Sequence, residues 1–199
     1  MTRHLVALAT LLLALPGALL AMPKDPVITA LYARGLAGDA AAVNECIAAL
    51  ENVLAAQPDD QVARVYLGSA YTLRSRDLPI GPAKLSALRK GIALMDEAAA
   101  AGPGNADVLL NRAVTTQALP GFLGRRKIAR QQLEQLVVLV EKDPPSLSAA
   151  DRQLLYLNAG EAARAAGDRK RATELWQRGL MIAGDAKLTA EIKAALAQR

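Results

Sequence analysis

The chain has 199 residues, of which 52% are hydrophobic and 22% charged, and a formal net charge of +5. That balance excludes a disordered tail and is enough for one domain with a continuous core. Aromatic residues make up only 3% and alanine and leucine dominate the apolar set, so propensity points to helix, while the lack of long alternating β-branched runs argues against a sheet.

Residues 1–21 read as a signal peptide. Arg3 and His4 give a short polar start, Leu5 to Leu20 an apolar stretch unbroken apart from Pro16-Gly17, and Ala21 a small residue before a cut at Met22. The expected location is therefore periplasmic or secreted, with an uncleaved N-terminal membrane anchor as the alternative. His4 is the single histidine, so a mature chain of residues 22–199 contains none. This removes Ser-His-Asp and Cys-His nucleophile systems and histidine zinc sites. Cys46 is the one cysteine; it cannot form an internal disulfide and is expected to be a small buried apolar group.

Along residues 22–199, turn signals alternate with segments whose apolar residues recur at three- and four-residue steps. The signals include Gly38-Asp39, Pro58-Asp59-Asp60, residues 77–82, residues 102–105, Pro120-Gly121, Asp143-Pro144-Pro145, Gly167-Asp168 and Gly184-Asp185. This predicts a single all-α domain of antiparallel hairpins at about 26–57, 60–101, 105–142 and 148–183, followed by a helix over 185–198.

The hairpins share small residues at matching places. Leu67-Gly68-Ser69-Ala70-Tyr71 opens one copy. In the last copy Gly160 lies in the first helix, Gly167-Asp168 at the turn, Ala172 and Gly179 in the second helix, and Trp176 between those two. This pattern resembles the tetratricopeptide repeat family, a helix–turn–helix of roughly 34 residues. The resemblance implies a right-handed stack of TPR-like hairpins with a C-terminal capping helix, its packing carried by Gly68, Tyr71, Gly160, Ala172, Trp176 and Gly179. Pro58 and Pro103 are 45 residues apart and Pro103 and Pro144 are 41 apart, so two hairpins exceed the family length, with the extra residues placed around 77–86 and 119–127.

The same resemblance implies that the first helices line a concave face, and register puts Tyr32, Ser69, Thr72, Gln117, Asn158, Glu161 and Arg164 there as partner-binding residues. Charge marks a second surface. Residues 61–130 carry a net +7 and residues 22–60 a net −4. Arg74, Arg76 and Lys84 in one long hairpin, with Arg125, Arg126 and Lys127 in the other, would share one basic edge. The leading expectation is an exported, non-enzymatic scaffold or adaptor of the cell envelope with a protein partner. One alternative is a binder of an anionic membrane surface or envelope polymer through the basic edge. The other is a carboxylate-based cell-wall enzyme, although Glu45, Glu134 and Glu174 sit at the spacing of solvated helix faces. No cofactor or metal motif is present, and too few aromatics exist for base stacking on nucleic acid.

Overall fold

A computed structural model describes residues 25–143 and 146–198, and among them are nine α-helices and no strand. The helices are α1 (Pro26–Leu36), α2 (Ala40–Ala56), α3 (Gln61–Asp77), α4 (Pro82–Ala101), α5 (Ala106–Ala118), α6 (Arg126–Lys142), α7 (Ala149–Ala165), α8 (Arg169–Leu180) and α9 (Ala186–Ala197). The segment expected to be a signal peptide lies outside the described residues.

Local chemistry sets most of these boundaries. The side chains of Asp25, Asp39, Asp60, Asn105, Ser148, Asp168 and Asp185 each accept a backbone N–H in the first turn of the helix that follows. Such a cap stabilises a helix by ~1 kcal/mol. In α4, Pro82 stands in the first turn with φ already set for helix. The turns of the first and fourth hairpins are built alike: Gly38 (φ +105°) and Gly167 (φ +86°) take the left-handed conformation that ends one helix, and the next residue is the aspartate that caps the other.

The helices pair as α1/α2, α3/α4, α5/α6 and α7/α8, and α9 packs on both helices of the last pair. First helices also touch in a row, α1 on α3, α3 on α5 and α5 on α7. One core runs through the whole stack, from Ile28 to Ala195, and includes Cys46. No single hairpin can bury its apolar face, so stacking is what completes the core.

Close crossings hold the hairpins. A Cβ on Gly68 would stand 2.7 Å from the carbonyl oxygen of Gly91, and one on Gly91 would stand 2.6 Å from that of Gly68. Here α3 and α4 meet backbone to backbone. A Cβ on Gly160 would land on the Trp176 indole, whose Nε1–H donates to the Leu157 carbonyl at 3.2 Å. Ala172 is buried beside this contact, and a Cβ on Gly179 would press within 2.9 Å of Ile192 in the cap. Tyr71 ties three helices: its hydroxyl donates to Glu51 at 2.7 Å and accepts from Lys90 at 2.6 Å.

Hydrogen bonds between hairpins reveal the register. Tyr32 meets Ser69 across 37 residues, and Glu134–Arg171 and Glu141–Arg178 repeat the same offset between α6 and α8. Ser69 meets Thr115 across 46, nine more. The extra length in the second hairpin is taken up as helix, 17 residues in α3 and 20 in α4. In the third hairpin it is a seven-residue connection, 119–125, containing a single 3-10 turn at Gly121–Leu123.

Candidate functional site

The row of first helices is the face where register places partner-binding residues, and the structure divides the seven. Tyr32, Ser69, Thr72 and Asn158 are buried, which corrects the expectation that they stand open to a partner. The cause is the closeness of neighbouring first helices. Small hydroxyls fit into the seams when they satisfy one another, as Tyr32 and Ser69 do at 2.6 Å and Ser69 and Thr115 at 2.9 Å. Thr72 donates to the Ser69 carbonyl at 2.7 Å, and Asn158 to the Leu154 carbonyl at 2.9 Å. Burial pushes the Tyr32 hydroxyl up to about 12, so it stays neutral within this chain of hydroxyls. Asn111, fully buried on α5 near the edge-on Tyr32–Tyr66 ring pair, belongs to the same seam. Its sequence signal was an amide directly after the apolar run Val108-Leu109-Leu110.

Gln117, Glu161 and Arg164 are half-buried and remain partly accessible, although the Gln117 Oε1 is covered. Glu161 and Arg164 pair at 2.6 Å, and the Arg164 guanidinium lies 5.4 Å from the Trp176 ring centre while reaching Gln198 at 3.2 Å. The reachable part of this face is therefore polar and held in place by the last hairpin and its cap.

The six residues of the basic edge also divide, three and three. Lys84 Nζ donates to the carbonyls of Ser75 (2.6 Å), Arg76 (3.2 Å) and Leu78 (3.0 Å), closing the C-terminus of α3. Arg76 bonds Asp77 and the Gly35 carbonyl at 2.9 Å, joining the first two hairpins. Arg125 makes two 2.7 Å bonds to Asp96, which also binds Arg112, itself bonded to Gln132. These three cations are engaged within the fold. Arg74, Arg126 and Lys127 are exposed and make no hydrogen bond or ion pair among the described residues. Asp96, the acid on which two hairpins converge, was not singled out by sequence, because nothing local marks a carboxylate that will be shared by two distant guanidiniums.

The hydroxyl chain fixes how far each first helix reaches toward this edge. Beyond its bonded hydroxyl α3 continues for about 12 Å, whereas α1 and α5 continue for about 6 and 4.5 Å, at 1.5 Å per residue. The α3/α4 hairpin therefore projects past its neighbours, with Ile80 at its tip 94% exposed. Among the described residues no group of three or more histidine, cysteine or carboxylate side chains is placed to hold a metal ion, and no helix is long and apolar enough to cross a membrane.

No protein-family model matches the sequence, and no curated protein matches it either. Among solved structures, the chain is similar to a thermophilic TPR protein of Thermus thermophilus, with 21% identical residues, a TM-score of 0.63, and coverage of 88% of this chain and 83% of that one. The fold is a TPR-like helical stack.

Proposed function

We propose that this chain is an exported, non-enzymatic scaffold of the cell envelope that binds another protein along its first helices. The observation that supports it is the unbroken row α1–α3–α5–α7, which gives one long surface backed by a continuous core. TPR-like stacks are suited to holding an extended peptide or a helix, because their curvature presents many side chains along one groove. Gln117, Glu161 and Arg164 are the accessible polar contacts of that face.

The test is crosslinking of the tagged protein in its native envelope, with the captured proteins identified. Capture should be lost when Gln117→Ala, Glu161→Arg and Arg164→Glu are combined, and should survive Arg126→Gln with Lys127→Gln. N-terminal sequencing of the same material should give a start near Met22. Equal capture by the triple variant and the wild type would overturn the assignment of this face, and an intact Met1 on a cytoplasmic protein would overturn export.

A further inference from the structure

The edge that carries the first-to-second helix turns has a chemistry unlike the rest of the surface. Seven large apolar side chains are exposed in the described chain, and four of them, Ile80, Leu85, Phe122 and Ile128, lie in or beside two of these turns. Phe122 is the chain's single phenylalanine and is 86% exposed, whereas the four tyrosines and Trp176 are all buried. Ile80 tips the projecting hairpin, and Phe122 tips the 3-10 turn of the next one.

The charge around these tips is also placed against local stability. α6 begins Arg126-Lys127 after Arg125, with no side-chain cap and no acid in its first turn, and α8, capped by Asp168, begins Arg169-Lys170-Arg171 with no acid in its first turn. Cations at a helix N-terminus oppose the macrodipole, so neither triplet is explained by helix formation. The acids of this edge are already matched: Asp39 by Arg34, Asp77 by Arg76 and Asp168 by Arg130. The side chains of Arg126, Lys127, Arg169 and Lys170 make no hydrogen bond or ion pair among the described residues. The ion pairs Glu134–Arg171 and Glu141–Arg178 run α6 and α8 side by side in the same direction, so both basic starts face the same way.

We propose that this turn edge docks on an anionic lipid bilayer, with Ile80 and Phe122 entering the headgroup layer and Arg126, Lys127, Arg169 and Lys170 facing its negative charge. Ile80 and Leu85 line one shallow hollow with Pro82 and Ala93, while Phe122 stands on the tip of the next hairpin; apolar groups divided between two tips do not make the single broad patch that a protein partner would bury. They do suit a fluid interface, which closes around each tip and supplies anions between them. The projection of α3/α4, a little over one helical turn, is of the size of interfacial burial, about 5–10 Å. Phenylalanine is among the side chains that bury at the headgroup and acyl boundary, which accounts for the one aromatic outside the core. The first-helix face would then point away from the turns, free for a protein.

The test uses the protein as recovered from the envelope fraction, starting near Met22 on the proposed reading, carrying Phe122→Trp and, separately, Met181→Trp, a position just past α8 at the opposite edge and 85% exposed. Trp176 is buried in both. Vesicles are phosphatidylglycerol with phosphatidylcholine, or phosphatidylcholine alone, each with brominated acyl chains. The Phe122→Trp protein should be quenched on the anionic vesicles and not on the neutral ones, and the Met181→Trp protein on neither. Adding Arg126→Gln with Lys127→Gln should weaken binding by on the order of tenfold or more. These sites are exposed, and unchanged circular dichroism melting would show that the variants fold. No quenching at position 122, equal quenching at positions 122 and 181, equal quenching on both lipids, or affinity indifferent to the two charge removals would each refute the proposal.

Discussion

Replacing Gly68 by alanine adds one methyl where α3 and α4 have no room for it. The new carbon would sit 2.7 Å from the Gly91 carbonyl oxygen and 2.9 Å from the Met95 backbone nitrogen, against 3.4–4 Å for an ordinary contact. Neither obstacle is a flexible side-chain end, so the helices must part by about 0.7 Å at least. A gap of that size forfeits a quarter to a half of the dispersion energy of the atoms it separates, along a seam formed by the two longest-paired helices. Overpacking of this kind typically costs ~1–3 kcal/mol and sometimes more, while alanine in a helix interior gains up to ~1 kcal/mol over glycine. The balance is a loss of about 2 kcal/mol, or a fall in Tm of about 4–8 °C for a chain of this size. Gly104→Ala, with no atom within 4 Å of the added carbon, is the control and should stay within about 0.5 kcal/mol. Combining Gly68→Ala with Gly91→Ala should cost less than the sum, since the first methyl already opens the crossing that the second needs. Calorimetry of the wild type, the three single variants and the double variant decides the matter. Coincident melting of the Gly68 and Gly104 variants would refute the backbone-to-backbone crossing.

Two further outcomes follow from the ion pairs and the tyrosine link. Asp96→Asn leaves Arg112 and Arg125 facing each other, and because Asp96 is 38% exposed the loss should be only ~1–2 kcal/mol; urea unfolding should show part of it restored by adding Arg125→Gln. In the Glu51–Tyr71–Lys90 group, the Tyr71 hydroxyl chiefly, then Lys90, holds the Glu51 carboxyl below its ordinary 4.5, and the same hydroxyl, then Glu51, holds the Lys90 ammonium above 10.5. The Glu51 contribution is present above pH 4.5 and lost as pH falls through its lowered value; the Lys90 contribution is present below pH 10.5 and lost as pH rises through its raised one. Tyr71→Phe should therefore narrow the difference in urea midpoint between neutral pH and both extremes, and an unchanged profile would show that the link carries no stability.

What the sequence disclosed was the chemistry that acts over a few residues. Gly38-Asp39 and Gly167-Asp168 announce both a helix end and the next cap, and Gly160 with Trp176 announces a small residue meeting a large one. Burial of Cys46 followed from its type alone. Lys84 and Arg125 show where such reading stops, since a cation at a helix end looks the same whether it bonds a carbonyl, a distant acid or water. Ser69 and Thr72 show the reverse error. Short polar side chains satisfy one another inside a helix seam, and polarity then says nothing about exposure. Gly91 carried a visible signal, an isolated glycine well inside a helical pattern, but its partner across the crossing is set only when α3 and α4 pack.

The recurring 37-residue offset gives the molecule the character of a short one-dimensional lattice with a fault in it. Tyr32–Ser69 repeats at one end the spacing that Glu134–Arg171 and Glu141–Arg178 repeat at the other, while Ser69–Thr115 is nine residues out of phase. A unit stacked on α1/α2 would find contacts of a kind already present, whereas at the other end α9 covers both helices of the last pair. At the fault the spacing is that of the lengthened α3/α4 pair itself, whose Ser69 bonds Tyr32 on one side and Thr115 on the other. Its place in the array is thereby fixed, and with it the position of the projecting tip relative to everything stacked on either side.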